Sequence, residues 1–251
     1  MRLYPRFLAL WCVSFACTVP ALAAEAQVAV ATNFAEPIKA IAAVLEKATG
    51  HTLKVTLGST GKLYAQIKNG APFDLLLAAD TRTPAQLEAD GLAQPGSRFT
   101  YATGQLVLWS PKNGRVDLQG RVLRDPALGK VAVANPKTAP YGEAALQALD
   151  RLGLTASLTS KLVQGESIGQ AYGFVHTGNA DVGFVAMTQV LEGGRLKGGS
   201  MWVLPQALYT PIQQDAVVLQ RGADNEAVLA LVKLLKSPRA QDLIRSYGYR
   251  L

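Results

Sequence analysis

Residues 53–79, LKVTLGSTGKLYAQIKNGAPFDLLLAA, decide the fold class. Leu53, Val55 and Leu57 alternate with Lys54 and Thr56, the period-2 pattern of a strand with one face buried. Gly58-Ser59-Thr60-Gly61 turns the chain into a helix expected from Lys62 to Asn69, with Gly70 as its stop. Leu75 to Ala79 is wholly apolar, as a strand covered on both faces requires. Strand, helix and strand in this order form the βαβ unit of an α/β fold.

The pattern extends both ways. Upstream, Val28 to Ala31 reads as a strand and Thr32-Asn33 as an N-cap. Ile38, Ile41, Ala42, Leu45 and Ala48 follow at helical spacing as far as Gly50. Downstream, Thr83-Pro84-Ala85-Gln86 reads as a capping box opening a third helix that ends at Gly91. Strands are expected at 105–110, 131–134, 182–186 and 217–219, and helices at 142–152 and 168–178. A helix from Asn225 would face Leu229, Val232 and Leu235 inward, and Ser237-Pro238 caps a last one. No Gly/Ser-rich linker interrupts the chain, so a two-lobed arrangement must be joined by strands that cross between lobes.

The chain has 251 residues, 49% of them hydrophobic and 17% charged, with net charge +7. That balance excludes a disordered chain or a coiled coil. Arg2 and Arg6 precede the apolar run 7–19, too short for a bilayer span of roughly 20 residues. Ala21-Leu22-Ala23-Ala24 supplies small residues for cleavage, so residues 1–24 read as a secretory signal peptide and the mature chain as exported. Cys12 and Cys17 lie within that signal, which leaves a mature chain without disulfides, held by its core. Lys and Arg are scattered rather than clustered, so no nucleic-acid face is expected.

Four segments end a loop in small or hydroxyl residues where a helix begins: Thr32-Asn33, Gly58-Ser59-Thr60-Gly61, Ala139-Pro140-Tyr141-Gly142 and Gly165-Glu166-Ser167-Ile168. Helix N-termini carry free N–H groups and a partial positive charge that favour anions. Side chains of Asn33, Ser59, Thr60, Tyr141 and Ser167 add neutral donors. Each is also an ordinary cap or core residue when taken alone. Ligands of open α/β sheets bind beyond the carboxyl ends of strands, where these loops fall, so convergence would make a cage for a small oxyanion. Donors without acceptors suit a fully ionised dianion better than phosphate, which keeps a proton near neutral pH. Glu166 is the one acid in the four loops, and it is expected to point outward.

Gly165-Glu166-Ser167-Ile168-Gly169 also matches the G-x-S-x-G elbow of serine hydrolases. His176 is the only His downstream of Ser167, and no acid lies between them, so the usual triad order is absent. Residues 158–164 do not read clearly as the strand that motif requires. His51 and His176 are too few for a zinc site, G-x-G is absent, and Leu63 stands where a P-loop needs Ser or Thr.

The segments Val30-Ala31-Thr32-Asn33-Phe34, Gly58-Ser59-Thr60-Gly61-Lys62-Leu63, Asn69-Gly70-Ala71-Pro72, Asn135-Pro136 with Ala139-Pro140-Tyr141-Gly142, and Ser167-Ile168-Gly169-Gln170 resemble, in order, the periplasmic molybdate-binding proteins of ABC transporters. The resemblance runs from about Val28 to Tyr247 and implies a two-lobed periplasmic-binding-protein fold of type II with a two-strand hinge. Lobe one would comprise residues 25–103 and 209–251, and lobe two residues 104–208. It implies a bare molybdate or tungstate dianion held by Thr32, Asn33, Ser59, Thr60, Tyr141 and the backbone near Ile168, with Ser167 beside it and no direct metal ligand or cofactor. Phe184-Val185-Ala186-Met187 lacks the Tyr of one branch, so the chain resembles the Thr-Asn branch. The partners implied are the oxyanion and an inner-membrane ABC permease, for a monomer that is not an enzyme. The alternatives are a binder of sulfate or another small anion on the same fold, and a periplasmic hydrolase using Ser167.

Overall fold

The structure, a computed structural model, describes residues 23–251; the signal-peptide reading, with Cys12 and Cys17, falls on residues outside that range apart from its last two. The chain runs β1 (Glu25–Ala31), α1 (Ala35–Thr49), β2 (Thr52–Gly58), α2 (Thr60–Lys68), β3 (Leu75–Leu77), α3 (Arg82–Ala89), β4 (Phe99–Gly104) and β5 (Leu106–Ser110). It continues through β6 (Val131–Ala134), α4 (Pro140–Arg151), α5 (Thr155–Leu158), β7 (Leu162–Gly165), α6 (Ile168–His176), β8 (Val182–Ala186) and α7 (Met187–Val190). The short β9 (Leu191–Glu192) and β10 (Arg195–Leu196), then β11 (Ser200–Val203), β12 (Ile212–Val218), α8 (Glu226–Leu235) and α9 (Pro238–Ser246) complete it. No described helix is long and apolar enough to cross a membrane.

Two five-stranded sheets organise these elements, in the orders β2-β1-β3-β12-β4 and β11-β5-β8-β6-β7. Within the first, β1 runs parallel to β2 and β3, while β12 is antiparallel to β3 and β4. Within the second, β6 is parallel to β7 and β8, while β5 is antiparallel to β8 and β11. The chain crosses between sheets twice, at Gln105 between β4 and β5, and again between β11 and β12. Both passages bring long-range antiparallel strands that a local βαβ pattern does not announce.

The alternation of β1 is legible in its packing. Val28 and Val30 join Leu75 and Leu77 in a core under α1, α8 and α9, whereas Ala29 and Leu76 turn to the other face with Leu63 and Leu87. One continuous core surrounds the second sheet, from Leu106 and Leu108 to Phe184 and Val185. The described residues contain no cysteine, so apolar cores and not a disulfide hold them together.

Five local expectations need correction. The helix expected from Thr83 begins one residue earlier, at Arg82, because the Asp80 carboxylate takes the Thr83 N–H at 2.9 Å and so replaces the capping box. The helix expected from Lys62 begins at Thr60, and the late strand begins at Ile212 rather than Val217. Residues 162–165 are a strand, drawn into the second sheet by β6. In α8 the inward face is Val228, Leu231 and Leu235, while Leu229 is 47% exposed. The observed set is spaced i, i+3, i+7 and the expected one i, i+3, i+6, both near the helical period, and the position of the sheet separates them.

That last point is testable. Leu231→Ala removes a fully buried side chain and is expected to cost about 2–5 kcal/mol, whereas Leu229→Ala costs under ~1 kcal/mol. Urea midpoints of the two variants check it; equal losses would return Leu229 to the core.

Candidate functional site

The four loops singled out in the sequence meet between the two sheets. A small cavity, with about 10 Å³ open to the centre of a water-sized sphere, is lined by Thr32, Asn33, Ser59, Thr60, Tyr141 and Ile168, together with Ala31, Gly58, Ala79, Ala139 and Pro140. It lies beyond the carboxyl ends of β1 and β2 from one sheet and β6 and β7 from the other. The helices α2, α4 and α6 begin at its wall, where the first N–H groups of a helix have no intrahelical carbonyl partner. No charged side chain lines the cavity. Ser167, grouped with the site on sequence grounds, is not among its lining residues.

The hydroxyls divide by what they already bond. Thr60 Oγ1 accepts the Ala79 N–H at 2.9 Å, which leaves its own proton to donate. Ser59 Oγ is buried and has no hydrogen-bond partner among the described residues. Such a hydroxyl costs about 1–3 kcal/mol while unpartnered, and an anion in the cavity would satisfy it. Thr32 donates its proton to the Gly58 carbonyl at 3.0 Å, which ties the first loop to the second.

The other side chains proposed as donors are engaged elsewhere. Asn33 Nδ2 donates to Gln214 Oε1 at 2.9 Å and to the Tyr249 hydroxyl at 2.8 Å. Tyr141 turns its hydroxyl toward the β12 strand, where it accepts from Gln214 Nε2 at 3.3 Å. Ser167 Oγ caps α6 by accepting the Gln170 N–H at 3.3 Å. Asn33 thus has both side-chain protons committed, whereas Tyr141, in the first turn of α4 after Pro140, and Ser167 accept through their hydroxyl oxygens and each keep a proton to donate.

Beneath the cavity lies a buried polar network that the sequence did not suggest. Gln214 bonds Asn33, Tyr101 and Tyr141. Tyr249 and Thr188 both donate to the Asn33 carbonyl, at 3.0 and 2.7 Å. Its members include residues on β4 and β12 of the first sheet and on α4 and α7, which follow strands of the second, and Gln214 sits where β12 bulges against β4. Its only sequence signal is Gln213-Gln214-Asp215, a polar triplet ahead of an apolar run. Burial pushes the phenols of Tyr101, Tyr141 and Tyr249 well above the ordinary tyrosine range, so the network is neutral.

Around the rim the two halves touch directly. Gly61 N–H donates to the Thr138 carbonyl at 2.9 Å. Lys62 pairs with Glu166 at 2.7 Å and Arg82 with Glu143 at 2.6 Å. These ion pairs are half exposed, so each contributes about 0–1 kcal/mol. Glu166 is turned to Lys62 and is not part of the cavity wall.

The hydrolase alternative gains the strand it lacked, since β7 runs straight into Ser167. It still has no base. Ser167 and His176 stand at opposite ends of α6, about 13 Å apart along its axis. His176 stacks on Tyr172, and His51 Nδ1 accepts the Ala24 N–H.

Two α/β halves linked by crossing strands, with helix ends and neutral hydroxyls converging between them, define a solute-binding protein built for a small anion. The family model described as "Bacterial extracellular solute-binding protein" matches residues 26–250, and the chain belongs to that family. It is 57% identical over 231 residues to "Molybdate-binding protein ModA" of Azotobacter vinelandii, covering 92% of each chain. It is 51% identical to the protein of the same name from Rhodobacter capsulatus, covering 92% of this chain and 90% of the relative. The solved structure titled "Azotobacter vinelandii periplasmic molybdate-binding protein" superposes with a TM-score of 0.86 at 42% identity, covering 90% of this chain and 99% of that one. A sulfate-binding protein of Mycobacterium tuberculosis H37Rv shares the fold at a TM-score of 0.75 and 13% identity, covering 90% of this chain and 86% of that one.

The raised tyrosines give a pH prediction. The folded state holds these protons more tightly than the unfolded chain, so their contribution is complete below pH ~10 and declines as pH rises above it. Denaturation midpoints between about pH 8 and 11 should fall at the alkaline end, and less steeply in Tyr249→Phe. An equal slope in that variant would remove Tyr249 from the titrating set.

Proposed function

We propose that this protein captures molybdate, and tungstate with it, in the cavity between its lobes and delivers it to an ABC permease. The observation that carries this is a wall of neutral donors with no cation and no carboxylate: Ser59 Oγ, Thr60 Oγ1 and the N-termini of α2, α4 and α6. The high identity to two proteins named for molybdate supports the same ligand. Phosphate would bring a proton to a wall without a carboxylate, since Glu166 faces Lys62. Sulfate is smaller and would leave some donors of a fixed cage unsatisfied.

The binding cycle follows from the crossing strands. We take residues 25–103 and 209–251 as lobe one and 104–208 as lobe two. Thr32, Asn33, Ser59 and Thr60 belong to lobe one, and Tyr141 and Ile168 to lobe two. An anion bonded to both prefers the closed arrangement and shifts the population toward it. Each hydrogen bond to the charged ligand contributes about 1.5–3 kcal/mol, so a few suffice for tight binding without Lys or Arg. The permease would then select the closed form. Export to the periplasm, a monomeric state, the absence of a nucleic-acid partner and the absence of catalysis complete the reading. Its supports are the apolar run after Arg2 and Arg6, the dispersed cations and the base-less Ser167.

Thermal melts with molybdate, tungstate, sulfate and phosphate test the proposal. Molybdate at 1,000 times its dissociation constant adds about 4 kcal/mol and should raise the melting point clearly, with tungstate alike and sulfate weak. Thr60→Val, which keeps the shape and removes the donor, should weaken molybdate at least ~10-fold, and Ser167→Ala far less. A shift with sulfate or phosphate in place of molybdate would overturn the ligand assignment.

A further inference from the structure

Two glycines stand where the lobes touch, at matching places. Gly61 is the second residue of α2, after Ser59-Thr60, and Gly169 is the second residue of α6, after Ser167-Ile168. Neither has a positive φ, so no backbone conformation demands glycine there. What demands it is the opposite lobe. A Cβ on Gly61 would lie 3.0 Å from Cα and 3.1 Å from Cβ of Thr138. A Cβ on Gly169 would lie 2.7 Å from Cγ2 of Thr32. By contrast, Gly173 in the same α6 has nothing within 4 Å of that position.

The contacts flank the cavity. Gly61 follows Thr60 and Thr138 precedes Ala139, while Gly169 follows Ile168 and meets Thr32; Thr60, Ala139, Ile168 and Thr32 all line the wall. We infer, on the reading of the cavity as an oxyanion cage, that the Gly61–Thr138 and Gly169–Thr32 contacts are the stops that set how far the lobes close. They are specificity-determining positions that touch no ligand. Protein N–H···O bonds keep N···O within about 2.7–3.2 Å, so a stop displaced by a few tenths of an ångström carries bonds made across the cleft toward or beyond the end of that range. Molybdate, which the closed cage fits, loses more than sulfate, which already lacks part of the donor set.

The two stops differ in a useful way. At Gly61 the obstacle includes backbone, which no substitution removes. At Gly169 it is a single methyl, and Thr32→Ser removes that methyl while keeping the hydroxyl bonded to Gly58.

Titration calorimetry of the purified protein with sodium molybdate and sodium sulfate, beside melts without ligand, provides the test. Wild type is measured first, and a failure to bind molybdate there would unseat the ligand assignment, not the stops. G169A and G61A should each lose molybdate affinity by at least ~10-fold, with a narrower preference over sulfate and no drop in the ligand-free melting point. G173A, the control, should bind as wild type does. The double variant G169A/T32S should recover most of the loss relative to T32S alone. A G169A protein that binds molybdate within twofold of wild type, or whose loss T32S leaves unrelieved, overturns the proposal. So does a ligand-free melting point lowered by G169A, because a stop touched on closure has no effect on the open form.

Discussion

An anion buried without a cation must be met by several neutral donors at once, and that requirement organises this molecule. A single helix N-terminus supplies only a partial charge that fades within a turn. Three of them, from two separate sheets, surround one small cavity here, and the hydroxyls of Ser59 and Thr60 complete the wall. The βαβ units exist to aim those helix ends, and the two crossing passages exist to let the two sets of ends meet. Family membership follows from the sequence match across residues 26–250, and the wall gives that membership a physical content.

The same economy appears in the polar groups below the wall. Asn33, Tyr141 and Gln214 look like ligand residues by type, yet their polar ends bond one another. Left unmade, each such buried bond would cost about 1–3 kcal/mol, so the first-loop backbone is held in one place. The network thus ties β4 and β12 of the first sheet to α4 and α7 beside the second. The tyrosines in it are too deeply buried to ionise near neutral pH, which keeps negative charge away from a site meant for an anion.

Closure is then a matter of short contacts rather than of surface charge. The Lys62–Glu166 and Arg82–Glu143 pairs bridge the rim but are screened by solvent. The approach of Gly61 to Thr138 and of Gly169 to Thr32 is steric and unscreened. On the proposed closure, steric stops would set one cleft size whatever the ionic strength.

Much was written locally. The alternation of Leu53, Val55 and Leu57, the apolar Leu75 to Leu77 and the glycine stops at Gly50, Gly70, Gly91 and Gly153 determined the α/β class and most element positions, because period and caps act over a few residues. The four loop-to-helix junctions were legible for the same reason, since small and hydroxyl residues before a helix mark where N–H groups are free. What the sequence could not carry was long-range. The β12 strand from Ile212, pairing with β3 and β4, is specified by partners more than a hundred residues away, and its polar Gln214 is buried only because of them. The inward face of α8 depended on where the sheet lay. Which partners the nominated side chains already hold was decided by competition: Asn33 Nδ2 is committed to Gln214 and Tyr249, and Ser59 Oγ found no partner among the described residues. Residue type tells what a side chain can bond, and only the folded arrangement settles which partner reaches it first.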